Sequence, residues 1–174
     1  MKFALVMLFV TATSLAQDAS TQATTAPGCG EHSAKFSVKT DKSQHPSAQL
    51  EKGKAVVYFM EDDDSFESNP KPTTRLGVDG SWVGANHGDS YFYVTVEPGE
   101  HHLCASWQSF VVIGAKQTSA AAHFTAEPGQ AYYFRVRNTW LRDHSQTRVE
   151  LLPLDNDEGR LLASRYAFST SQPK

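Results

Sequence analysis

Seven histidines and two cysteines are the side chains of this 174-residue chain whose types most directly suggest chemistry. His101 and His102 are neighbours. On a strand, adjacent side chains point to opposite faces, so these two do not chelate one ion together. A more reasonable ligand set is His102 with Cys104, which share a face, joined by His87 or His123 if the fold brings either near. That set needs Cys104 as a thiolate, which competes with any disulfide at Cys104. Surface and turn histidines are the favoured reading, so no metal or other cofactor is expected.

Two acidic runs carry calcium-type ligands, Glu61-Asp62-Asp63-Asp64 and Asp155-Asn156-Asp157-Glu158-Gly159. The second begins like an EF-hand loop, yet Tyr166 stands where the bidentate glutamate belongs. A solvated loop and a helix start describe them better. The chain has no Gly-x-Ser-x-Gly elbow and no glycine-rich phosphate loop, and spacing gives its serines no partner base. A non-enzymatic protein is therefore expected, with no catalytic residues. Trp82, Tyr91, Tyr93, Trp107 and Trp140 offer a face for carbohydrate or protein binding, although strand aromatics more often fill a core.

The elements that must position these groups follow from the pattern. Residues 1–16, MKFALVMLFVTATSLA, read as a secretory signal peptide: Lys2, an apolar run, then small residues up to Ala16. The run is too short for a permanent span, and no later segment approaches the ~20 apolar residues a spanning helix requires. Cleavage near Ala16 would leave a periplasmic or extracellular chain. Residues 17–52 read as a flexible polar segment in which Phe36 and Val38 are the apolar pair. In an oxidising compartment the two cysteines allow one intramolecular pairing, Cys29–Cys104; free thiols or an intermolecular bridge are the alternatives. The net charge of -3 argues against a nucleic-acid partner.

From residue 53 to 170 the pattern is β. Ala55–Met60 is a continuous β-branched and aromatic run, the mark of a strand buried on both faces. Asp79-Gly80 is a type I′ hairpin signal. Pro98-Gly99 and Pro128-Gly129 read as type II turns joining antiparallel strands. Arg135 and Arg137 alternate with Phe134 and Val136, which marks a solvent-facing wall. The sum is an all-β, antiparallel sandwich of about seven or eight strands, immunoglobulin- or transthyretin-like, with room for one short helix over 155–166.

Read as a string, Gly53-Lys-Ala-Val-Val-Tyr58, Val78-Asp-Gly-Ser-Trp-Val-Gly84, Gly88-Asp-Ser-Tyr91, Val96-Glu-Pro-Gly-Glu-His-His-Leu103 and Pro128-Gly-Gln-Ala-Tyr-Tyr-Phe134 resemble the bacterial "domain of unknown function 2846" family over roughly residues 52–140. The resemblance implies a small exported β-sandwich, often periplasmic or lipid-anchored, without catalytic residues to carry over. A cysteine at the signal cleavage site, which lipid anchoring needs, is missing. The expected role is a non-catalytic, envelope-associated binding or accessory module, with a cell-envelope protein or a glycan as partner. A periplasmic metal-binding protein and a carbohydrate-binding module are the alternatives.

Overall fold

The computed structural model describes residues 29–108, 118–143 and 146–174; the expected signal peptide lies outside them. The described residues form ten strands and one helix: β1 (Phe36–Asp41), β2 (Ala55–Asp62), β3 (Thr73–Val78), β4 (Ser81–His87), β5 (Ser90–Val96), β6 (Gly99–Trp107), β7 (Ser119–Ala126), β8 (Ala131–Trp140), β9 (Thr147–Leu154), α1 (Asn156–Ala163) and β10 (Ala167–Pro173). They build an all-β sandwich. One sheet runs β1-β10-β5-β2-β8-β9 and the other β4-β3-β6-β7. The pairings are antiparallel except β2 with β8 and β10 with β5, which are parallel.

The parallel β2–β8 pair arises from the Pro-Gly corners. Asp79-Gly80 closes the β3–β4 hairpin with positive φ at both residues, 49° and 80°, as a type I′ turn requires. Pro98-Gly99 and Pro128-Gly129 do not close hairpins. The first hands the chain from β5 in the large sheet to β6 in the small one, and the second returns it from β7 to β8. After this excursion β8 lies beside β2 in the same direction.

The space between the sheets is filled by Val57, Phe59, Leu76, Phe92, Leu103, Trp107, Phe134 and Val136. The outer face of the large sheet is covered too. Val56, Tyr58, Met60, Tyr91 and Tyr133 form a second cluster beneath Leu162 and Ala163 of α1 and Ala48. Every residue of β2 is therefore buried, as the continuous apolar run predicts for Ala55–Met60. Helix α1 starts where Asp155 caps it, accepting hydrogen bonds from the Asp157 and Glu158 amides at 2.9 Å. It lies flush on the sheet at Gly159, where a Cβ would sit 2.2 Å from Tyr133 Cγ.

The polar stretch 17–52 is not flexible throughout. Residues 36–41 form the edge strand β1 against β10, and the residues before it are fastened across the small sheet. Cys29 and Cys104 are joined in a disulfide. The Arg75 guanidinium donates to the carbonyls of His32 and Ala34 at 2.8 Å, with its carbon 4.5 Å from the Trp82 ring centre. Trp82 Nε1 donates to the Glu31 carbonyl at 2.8 Å, and Gln108 exchanges two hydrogen bonds with the Phe36 backbone.

The bridge closes a loop of 75 residues. Replacing both cysteines by serine is expected to lower stability by about 4 kcal/mol through the unfolded chain, read as a lower midpoint in guanidinium denaturation. Gly159→Ala is expected to lift α1 off Tyr133 and cost about 2 kcal/mol, measured in the same assay.

Candidate functional site

Three places in this frame gather side chains able to do chemistry. The first is the end of β2, where the acidic run lies. Composition assigns Glu61–Asp64 to a solvated loop, but Glu61 and Asp62 belong to the strand and Glu61 and Asp63 are sealed inside, 0% and 2% exposed. By strand alternation both continue the inner face of Val57 and Phe59. Their partners come from distant strands. Trp107 Nε1 donates to Asn138 Oδ1 at 2.7 Å, which turns the Asn138 amide nitrogen toward Glu61 Oε1 at 2.9 Å and Asp63 Oδ1 at 2.7 Å. Thr74 Oγ1 donates to Glu61 Oε1 at 3.1 Å. The second oxygen of each carboxyl, Glu61 Oε2 and Asp63 Oδ2, has no hydrogen-bond partner.

Two buried carboxyls sharing one amide cannot both ionise cheaply. Burial first, then the Asp63 charge, pushes Glu61 well above the usual glutamate range, against the pull of Thr74 and Asn138. Burial likewise pushes Asp63 up to about 7, with Asp89 and Asp62 adding to it and Asn138 and Lys71 opposing. Lys71 is held close by the carbonyls of Asp63 and Phe66, to which its ammonium donates.

On the opposite side of the strand, Asp62, Asp64 and Asp89 bring carboxylate oxygens within 4.8 Å of one another, close enough to share a cation. Asp62 already faces the Arg137 and Arg135 guanidiniums at 3.5 and 3.6 Å, and Arg135 also pairs with Glu158 of α1. The Arg135–Arg137 wall is thus partly roofed by the helix. Tyr166 is pushed above the usual tyrosine range by burial and then by the charges of Asp62, Asp89 and Asp64.

The second place is a cavity of about 170 Å³ on the outer face of the large sheet. Tyr58, Tyr91 and Tyr133 floor it, and His45, Pro46, Ser47, Arg160, Ala163 and Ser164 wall it. The roof is tied to the floor: Tyr58 Oη accepts from the Ala48 amide at 2.8 Å and Tyr91 Oη donates to the Pro46 carbonyl at 3.0 Å. Tyr58 and Tyr133 stack with ring centres 4.7 Å apart. Burial pushes the Tyr91 hydroxyl up to about 12.

No protein-family model, no curated protein and no solved structure matches this chain.

The third place is the outer face of the small sheet, where the histidines separate. His102 lies directly opposite His123 across β6 and β7, with ring centres 6.5 Å apart. His87 pairs with Thr73 at the far end of β3, about 17 Å along the strand from Val78. Its Nδ1 lies 2.9 Å from the Pro72 carbonyl. Cys104 is spent in the disulfide. The ligand set of His102, Cys104 and His87 is therefore not assembled; only His123 joins His102. His101 faces inward, between Asp79 Oδ2 and the Glu97 carbonyl, each at 2.7 Å.

The five aromatics do not share a surface. Tyr91 and Trp107 are buried, and Trp140 packs against the core. Trp82 sits beneath Arg75. The tyrosine cavity and the Glu61–Asp63 pair escaped sequence reading because their members are brought together by tertiary structure; Glu61 and Asn138 are 77 positions apart.

Folded Asp63 holds its proton up to about pH 7, whereas an unfolded aspartate releases it near pH 4. Between those values the folded chain binds more protons, so stability falls as pH rises, by roughly 4 kcal/mol in all. Asp63→Asn is expected to flatten that decline in denaturation midpoints measured from pH 4 to 8.

Proposed function

We propose that this chain is an exported β-sandwich that works by binding a small molecule in the cell envelope rather than by turning one over. The observation that carries the reading is the tyrosine-floored cavity, whose roof and floor are joined by hydrogen bonds and whose volume suits one ring. A cavity near 150 Å³ holds a benzene-sized guest. Tyrosine faces favour flat or ring-shaped partners, and Arg160 beside them favours an acidic or hydroxyl substituent.

Export is supported by the Cys29–Cys104 bridge, which suits an oxidising compartment, together with the signal-like first sixteen residues. Among the described residues no helix is long and apolar enough to cross a membrane. The non-enzymatic part of the reading is supported by the position of the strongest acid–base pair. Glu61 and Asp63 lie in the core, where a substrate does not reach. Kinship with the "domain of unknown function 2846" family belongs to the same proposal, carried by the turn and strand motifs over residues 52–140. Carbohydrate binding survives in altered form, with the tyrosine floor replacing an exposed aromatic face.

The test is titration of the disulfide-intact protein with benzoates, phenols and pyranoses, followed by tyrosine-ring NMR shifts. Shifts at Tyr58 and Tyr133 are expected, and Ala163→Phe, which fills the cavity, should abolish them while circular dichroism stays native. Failure of every ring compound to shift these signals, or equal binding by the filled variant, overturns the reading.

A further inference from the structure

On the outer face of the β6–β7 pair three metal-ligating side chains occupy neighbouring positions. His102 and His123 occupy directly opposed positions, and Glu100, two residues before His102, shares their face across from Thr125. Glu100 Oε1 lies 3.9 Å from His102 Nε2. Glu100 and His123 are exposed and His102 is half-buried, so solvent reaches the group and the side chains are free to turn.

An ion about 2 Å from one nitrogen of each imidazole sets the ring centres roughly 5 to 6.5 Å apart, for angles between tetrahedral and linear. The rings of His102 and His123 stand 6.5 Å apart with no ion present. Side-chain rotation alone therefore reaches a shared ion, because the two backbones are already held in register from Gly99–Ala126 to Ser106–Ser119. The disulfide strengthens that support, since Cys104 follows His102 on the same face of β6.

We propose that Glu100, His102 and His123 form a surface site for a borderline divalent transition ion, two imidazoles and one carboxylate with the remaining positions taken by water. Imidazole-rich donor sets favour copper(II) and zinc(II) over magnesium or calcium, and copper over zinc. The site keeps His102 and His123 of the sequence expectation, with Glu100 in place of Cys104 and without His87. It is separate from the tyrosine cavity, so neither reading depends on the other.

The experiment uses the untagged, disulfide-intact chain stripped with EDTA and titrated with copper(II) and with zinc(II) by calorimetry at pH 7.5. One equivalent of copper is expected to bind, with zinc weaker. His102→Gln and His123→Gln should each weaken copper by at least about 30-fold, and Glu100→Gln by about 10-fold. His45→Gln and His87→Gln should leave it unchanged. In the imidazole NMR spectrum the His102 and His123 rings should broaden together at substoichiometric copper. Unchanged affinity in the His102→Gln/His123→Gln double variant, broadening of other histidines first, or no binding at micromolar metal overturns the proposal.

Discussion

A strand with no solvent-facing side governs this architecture. All eight residues of β2 are buried, so both faces of the sheet's centre need a cover. The inner cover is the second sheet, whose β6 and β7 are reached through the Pro98-Gly99 corner and left through Pro128-Gly129. The outer cover is built from what the chain has left, namely α1 and the segment around Ala48. Each binds its side of the sheet by close contact: Gly159 lets α1 rest on Tyr133, and two tyrosine hydroxyls hold the Pro46 and Ala48 backbone. The tyrosine cavity is the gap left beside the point where these two covers meet, His45 Nδ1 lying 3.2 Å from the Ala163 carbonyl.

The same constraint explains the buried acids. A strand that stays covered to its end carries its last side chains inside whatever their polarity. Glu61 continues the face of Val57 and Phe59, and Asp63 follows it. Burying two carboxyls without donors would cost several kcal/mol each. Here Thr74 and the Asn138 amide supply part of the requirement and raised proton affinity supplies the rest. Trp107 fixes which end of Asn138 faces them, so a polar cluster is oriented by an indole in the apolar core.

How much of this was legible depends on whether a feature is local. Asp79-Gly80 could be read because positive φ at two successive residues is a requirement of the turn itself. The Pro-Gly pairs could be read as turns but not as corners between sheets, since a turn fixes local dihedrals and not the destination of the next strand. Strands β1 and β10 were missed because their composition is polar. Ser169 and Ser171 of β10 bond the Ala85 backbone of β4, a task that leaves no apolar alternation to detect. The acidic run was misread because charge predicts solvent unless partners exist, and its partner Asn138 lies 77 positions away. The disulfide was legible because two cysteines leave few options, whereas the tyrosine cavity left no local signature.

His101 and His102 show how far the two-residue period divides labour between neighbours. His101 points inward at the sheet's end, where Asp79 and the Glu97 carbonyl take both ring nitrogens. Asp79 in turn accepts the His102 amide, so one side chain joins the β3–β4 turn to β6. Burial opposes the charged imidazole, but the Glu97 carbonyl and Asp79 outweigh it and raise the proton affinity of His101. That ring is therefore a structural cross-link between the Asp-Gly turn and the Pro-Gly corner. His102 is thereby left on the outer face with its backbone fixed by Asp79 and its ring facing His123. Two adjacent residues of one type thus serve opposite ends, one holding turns together and the other facing solvent where a ligand can meet it.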